Sequence, residues 1–363
     1  MVSFTPTEEQ QLLIDTIKRF SLNDLRMVAH EADEASAPAL DMVAKGWQIG
    51  LVPSSIPEEV GGFGELSALT NALAYEELAF GDLATALHVL TPALFAYPVV
   101  LFGTAEQRQE LLPMFLEESL APATAALLEP GVFFDPNELA TTAALDRDKV
   151  TLNGTKAYVP LAADAQQILV YARNTVSGTT EAYIVPKASV TIDKREALMG
   201  LRALPTYRAS LSNVAVPVTA RLGGVVGMDF NTLLNRQRVA LAALAVGLTR
   251  GAFEYARDYA KERVQFGQPI ATKQAIAFML AEMAIEIDAL RLMVWEAAWK
   301  LDKGEDATQE AYLAKQYADK TALFVTDGAV QTLGGYGFIR EYPAERWLRN
   351  GRGFPTFHGL AIS

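Results

Sequence analysis

The chain contains no cysteine. Disulfides, thiolate nucleophiles, zinc–thiolate sites and cysteine-ligated iron–sulfur clusters are excluded with it. Histidine is nearly as scarce: only His30, His88 and His358 occur. No two of them stand at helical metal-ligand spacing, so no metal site is expected. Long apolar runs are missing too, because Pro or a charged residue interrupts each one short of a membrane span. Met1-Val-Ser-Phe-Thr-Pro6 lacks a basic stretch followed by an apolar one, so no secretory leader is read there. A cytoplasmic location without membrane insertion is the default expectation. Acid exceeds base, 43 Asp and Glu against 31 Lys and Arg, for a net charge of −12. That balance speaks against nucleic acid as a partner, and equally against an anionic membrane. It leaves room for a small anionic ligand held by a local basic cluster.

What is present is length and apolar content. The chain has 363 residues, half of them hydrophobic, enough for two or three domains with sizeable cores. The first part reads as helical. Thr5-Pro6-Thr7-Glu8 has the pattern of a capping box with Thr5 as N-cap, and Leu12, Leu13, Ile17 and Phe20 follow at helical spacing. Further helices are expected near 38–50, 66–80, 83–102 and 105–118. From about Ala123 the texture changes to short β-branched and aromatic runs separated by turn residues, at 149–159, 167–172, 181–186, 189–192 and 209–216. That pattern predicts an antiparallel β domain. From about Asp229 long helices return, near 231–262, 273–302 and 306–333. Each spans ~40–48 Å at ~1.5 Å per residue, which is bundle length. The apolar positions of the second, Ile276, Met279, Leu280, Met283, Ile285, Ile287, Leu290 and Leu292, cover more than one face. They predict packing against another subunit as well as within the bundle. The division is 1–122 helical, 123–228 β and 229–363 helical bundle.

Eight segments, in this order, resemble the acyl-CoA dehydrogenase family over essentially the whole chain. They are Pro57-Glu-Glu-Val-Gly-Gly-Phe-Gly64, Tyr75-Glu-Glu-Leu-Ala79, Glu129-Pro-Gly131, Leu152-Asn-Gly-Thr-Lys156, Met199-Gly-Leu-Arg202, Arg263-Val-Gln-Phe-Gly-Gln-Pro-Ile270, Gln331-Thr-Leu-Gly-Gly-Tyr-Gly-Phe338 and Tyr342-Pro-Ala-Glu-Arg346. Each is weak alone; the set is specific. The resemblance implies an α+β multidomain fold: a helical N-domain, a middle antiparallel β-barrel-like domain and a C-terminal four-helix bundle, assembled as a dimer or tetramer. It implies FAD held between two subunits, an acyl-CoA substrate, a glutamate that removes the α-proton, and electron-transfer flavoprotein as electron acceptor.

Carried over residue by residue, the two halves of the implied flavin site differ. The half offered to a neighbouring subunit is kept. Arg263 matches the arginine that forks onto the FAD pyrophosphate, a task for planar paired donors. Phe266 matches the aromatic that packs on the cofactor, and Gln274 and Ile276 match bundle contacts near it. Gln331, Gly334 and Gly335 match a turn that lets backbone approach the ADP part. The half for the chain's own flavin is eroded. Leu128 and Phe134 stand where the family has a threonine and a serine. Tyr158 and Pro160 stand where it has a tryptophan and a threonine, and Pro160 has no N–H to donate.

The base is missing at both of the family's places for it. One aligns with His358, the other with Gln237 beside Arg238, a possible CoA contact or an intrahelical partner. A neutral histidine has a pKa suited to a base. A lone histidine reads more readily as a surface or interface residue than as a base, and little sequence follows His358 to hold it. His88, on an apolar helix, reads as a core histidine. The pattern is that of a subunit lacking its own base in a heteromeric (α2β2) acyl-CoA dehydrogenase, as in relatives acting on steroid side chains, whose partner is a homologous subunit and whose FAD is shared with it. Three alternatives remain: an active homo-oligomer using His358 or another base, a flavin-dependent monooxygenase of the same fold, and a non-enzymatic acyl-CoA binder.

Overall fold

The computed structural model describes residues 5–131 and 133–363; residues 1–4, read above as carrying no leader, lie outside them. The first helix, α1 (Glu8–Phe20), starts two residues later than the Thr5 pattern suggests. Thr7 is the N-cap: its Oγ1 accepts from Gln10 N at 3.2 Å and its own N–H donates to Gln10 Oε1 at 3.0 Å. The capping box is therefore Thr7–Gln10, because glutamine at the third helical position reaches back as well as glutamate does. A π-helical turn, Ser21–Leu25, joins α1 to α2 (Arg26–Ala35), and α3 (Leu40–Gln48) follows. The expected 83–102 helix is two, α5 (Leu83–Leu90) and α6 (Ala93–Phe102), bent by 42°. Pro92 explains the break, since it removes an N–H and crowds the carbonyl four residues back. Similarly α7 (Ala105–Leu111) stops short of Pro113, and a 3₁₀ turn, Pro113–Leu116, completes that segment.

The helix α4 (Ala68–Gly81) is buried along nearly all of its length. Its first turn is held from a distance. Asp302, last residue of α9 (Gln274–Asp302), accepts from Ala68 N at 2.6 Å and Leu69 N at 3.1 Å. A carboxylate there satisfies orphan N–H groups and suits the positive end of the helix. Glu76 and Glu77 on α4 pair with Arg250 on α8 (Phe230–Glu262), and Glu76 also with Arg291 on α9.

The middle of the chain forms one seven-stranded sheet: β1 (Ala123–Ala126), β2 (Thr142–Asp146), β3 (Lys149–Pro160), β4 (Gln167–Asn174), β5 (Thr180–Pro186), β6 (Thr191–Arg195) and β7 (Thr206–Pro217). Most pairs are antiparallel as expected, but β4 runs parallel to β1 and to β2. β1 and β2 escape a pattern reading because both are short and one is all alanine and threonine. Beneath the sheet Glu129 and Lys156 form a buried ion pair at 2.8 Å. Glu129 also accepts from Ala140 N and Thr141 N, and Lys156 donates to Leu127 O.

Three long helices, α8, α9 and α10 (Thr308–Leu333), make the bundle, with short α11 (Gly335–Phe338) and α12 (Ala344–Gly351) beyond them. Its fourth member is thus an eight-residue helix rather than a long one. Asp229 caps α8 by accepting from Asn231 N. The helix is long and apolar enough to cross a membrane by composition, but 78 % of its apolar window is buried inside the protein. At Gly247 a Cβ would fall 2.1 Å from Glu76 O; only glycine lets α8 and α4 approach so closely. On α9, Leu280, Met283, Ile287, Leu290 and Val294 face inward, while Phe278, Ile285 and Leu292, spaced by seven, are exposed.

Candidate functional site

Arg263 ends α8 by taking an extended backbone. The chain then folds back as the hairpin β8 (Val264–Gln265) and β9 (Gln268–Pro269), with Phe266 and Gly267 as its two-residue loop. Both loop residues have positive φ, +55° and +82°, the requirement of a I′ turn. Glycine meets it freely; phenylalanine is strained there. Phe266 is nevertheless 91 % exposed, with the Lys273 ammonium 5.9 Å from its ring centre. A strained, exposed aromatic is a side chain aimed away from its own core.

α10 stops at Gly334, whose φ of +61° and ψ of −128° suit only glycine. A Cβ at Gly334 or Gly335 would meet no atom within 4 Å, so both glycines front open space. Tyr336 then stacks on Tyr342 at 5.0 Å and meets Tyr259 edge-on at 6.4 Å. The Arg263 guanidinium lies 5.4 Å over the Tyr336 ring and, among the described residues, has no ion pair or hydrogen bond. Arg263, Tyr259, Tyr336, Gly335 and Ile270 line an open depression of about 470 Å³. A forked cation without an acid, beside backbone without side chains, fits a phosphate-bearing group.

The remaining expected contacts are looser. Gln331 lies one turn before Gly334 and Gln274 opens α9; both are exposed and neither lines the depression. Ile276 is half-buried against the main core, and Ile270 takes the lining place expected of it. Tyr259 and Tyr336 were legible but missed: Tyr259 stands in the last turn of α8, four residues before Arg263, and Tyr336 lies within the glycine-rich segment itself.

A second, separate crevice lies between β3 and the segment after α12. Tyr158, Met199, Thr206, Arg349, Phe357 and Leu360 are among its walls, and its volume is about 150 Å³. Ligand pockets are commonly ~300–1,000 Å³, so this crevice is small for one. Tyr158 holds φ +52° and donates its N–H to Glu196 at 2.9 Å. Burial raises the Glu196 carboxyl. The Pro160 carbonyl accepts from Thr124 at 2.7 Å, and Leu128 is buried. Phe134 packs against His358, ring centres 5.7 Å apart.

His358 is half-buried, and burial lowers its pKa to about 4, with the Lys315 and Arg238 cations adding to the effect. The imidazole is neutral at pH 7 and a weak proton acceptor. Lys315 steadies this loop by donating to Phe354 O at 3.0 Å while paired with Asp319 at 2.5 Å. Arg238 sits over Tyr312 at 5.3 Å and donates to Asn235 at 3.2 Å, the intrahelical partnership. Gln237 is buried, with Oε1 unpaired. One expectation is overturned: residues 360–363 are fully buried and do hold the His358 loop in place.

The order of helical domain, β domain and helical bundle, with an open arginine-and-glycine depression on the bundle, is the layout of a flavin-dehydrogenase type of protein. The chain belongs to the acyl-CoA dehydrogenase family, whose N-terminal, middle and C-terminal domain models match residues 7–119, 124–214 and 228–360. It is 33 % identical over 363 residues to the mitochondrial short-chain specific acyl-CoA dehydrogenase of Bos taurus, covering 98 % of this chain and 87 % of the relative. It is 33 % identical over 364 residues to the caffeyl-CoA reductase–Etf complex subunit CarC of Acetobacterium woodii, covering 98 % and 96 %. The butyryl-CoA dehydrogenase structure from Megasphaera elsdenii superposes with a TM-score of 0.89 at 31 % identity, covering 98 % of this chain and 96 % of that one. The fold is thus that of FAD-dependent oxidoreductases acting on CH–CH bonds.

Proposed function

We propose that this chain is the subunit of a heteromeric acyl-CoA dehydrogenase that completes the FAD site of a homologous partner and lacks a reaction centre of its own. The observation that carries the reading is the inequality of the two depressions. The one at Arg263 is open, about 470 Å³, and has an unpaired forked cation. The one at Tyr158 is about 150 Å³, with Phe134 against His358 nearby. Arg263, Gly334 and Gly335 would hold the phosphate half of FAD, and Phe266 would pack against the assembly. Bound FAD would supply the hydride acceptor for α,β-desaturation. The base would come from the partner, since Gln237 cannot accept a proton and His358 is a weak acceptor. The exposed line Phe278, Ile285 and Leu292 supports a partner against the bundle. Electron-transfer flavoprotein as acceptor is supported by the Etf-associated relative.

Co-expression with a glutamate-bearing homologue, followed by mass and flavin absorbance of the complex, tests this. One FAD per heterodimer, and no retained flavin on this chain alone, is the expected result. Stoichiometric FAD and acyl-CoA oxidation by the isolated chain would refute it.

A further inference from the structure

The crevice beside Tyr158 has walls that are tied to one another. Gly200 brings its segment so close to α12 that a Cβ would fall 2.4 Å from Arg349 O. Leu201 N donates to Asn350 Oδ1 at 2.7 Å, and Arg349 Nη1 donates to Met199 O at 3.0 Å. Past α12 the 3₁₀ turn Phe354–Thr356 leads to Phe357, which is buried, as is Leu360. A crevice fixed in this way is formed before any ligand arrives, as small-molecule sites usually are.

Three features of the wall point to a ligand. Tyr158 holds a left-handed backbone, φ +52°, and strain of that kind in a residue other than glycine gathers at ligand clamps. Met199 keeps its side chain 60 % exposed on a backbone that is pinned, which makes an adaptable apolar edge. The third feature is charge. Of the two charged residues on the wall, Arg349 is taken up by Asp33 and Glu345. Arg352 is exposed, and its side chain has no ion pair or hydrogen bond among the described residues.

Volume and lining then select the chemistry. An apolar space of about 150 Å³ admits a single benzene ring, and that is the volume here. Tyr158 and Phe357 offer ring surfaces to such a group. A free guanidinium takes a carboxylate through two parallel bonds.

We propose that this crevice binds a monocyclic aromatic carboxylate, its ring among Tyr158, Met199, Phe357 and Leu360 and its carboxylate on Arg352. The inference rests on the reading above, in which the crevice holds no flavin of the chain's own, and gives the space to a ligand of a different class.

The test is calorimetric titration of the isolated full chain with sodium benzoate, and with benzyl alcohol as its uncharged counterpart of like size. Benzoate is expected to bind with a Kd on the order of 1 mM, and benzyl alcohol at least tenfold more weakly. Arg352→Gln changes an exposed side chain and leaves the core alone. It is expected to weaken benzoate binding at least tenfold, about the worth of one charge-assisted hydrogen bond, and to leave benzyl alcohol within twofold. In a chain carrying ¹³C-methyl methionine, the Met199 resonance, assigned through Met199→Leu, is expected to shift as benzoate is added. No benzoate binding at tenfold that concentration, equal affinity in Arg352→Gln, or an unmoved Met199 resonance overturns the proposal. None of these readouts involves flavin, so failure here leaves the flavin stoichiometry of the heteromer as an independent measure of the proposed function.

Discussion

The Arg263 guanidinium lies over the Tyr336 ring, 5.4 Å from its centre, with no carboxylate to neutralise it among the described residues. A cation so placed contributes little to its own fold and is free for a bidentate anion. Arg263→Lys keeps the charge and loses the fork. In the heteromer it is expected to weaken FAD retention by at least tenfold, about the worth of one charge-assisted hydrogen bond. The melting temperature of the isolated chain should stay put. Flavin absorbance after dialysis and a thermal melt read the two effects.

Phe266 supports an opposite pair of outcomes. Its positive φ costs about 1–2 kcal/mol, and its ring is exposed. Phe266→Gly is expected to raise the urea midpoint of the isolated chain and to lower its affinity for the partner in sedimentation. A fall in both would mean that the ring packs within the chain.

Glu129 and Lys156 are a structural pair. Burial pulls the Lys156 pKa down to about 8 against the attraction of Glu129. Burial also pushes Glu129 up, but the Lys156 charge and the Thr141 bonds outweigh it and leave that carboxyl below its ordinary value. Lys156→Met strands a buried carboxylate and is expected to cost about 3–5 kcal/mol, measured by denaturant titration.

Much of this was legible in the sequence. The long helices and strands follow from period and composition, and Arg263, Phe266 and Gly334 from motif. What escaped depends on contacts distant in the chain. That α4 is capped by Asp302, or that residues 360–363 are buried, cannot be read from local pattern. Ile276 stands against the main core and not in the depression, because an apolar side chain at a helix start serves core and ligand alike. The parallel pairing of β4 escaped because strand direction is set by which short segments lie beside it.

His358 should be dispensable for turnover. In the heteromer, His358→Ala is expected to leave kcat within twofold and flavin content unchanged. A fall of a hundredfold or more, the usual contribution of a general base, would restore it as one.

Acid should act through His88. It is 5 % exposed, and burial lowers its pKa from 6.5 to about 4. The unfolded chain therefore takes up a proton on this group before the native one does. The stability it contributes is complete above pH 6.5 and is lost as pH falls towards 4, by roughly 3 kcal/mol. His358 adds in the same direction. Denaturant midpoints of His88→Gln should fall less steeply between pH 6.5 and 4.5 than those of the native chain.

The grip of Asp302 on the first turn of α4 has a consequence for how the molecule is made. Some 230 residues separate cap from helix, so on the ribosome α4 emerges long before the residue that finishes it. Its apolar residues and the carboxylates Glu76 and Glu77 find much of their cover and their arginine partners, on α8 and α9, only in the last third of synthesis. Until then the nascent chain presents a sticky helix with open N–H groups, the kind of surface that recruits holding chaperones. A fragment of residues 1–122 made alone should aggregate or co-purify with such chaperones, and a soluble fragment with a cooperative melt would contradict this.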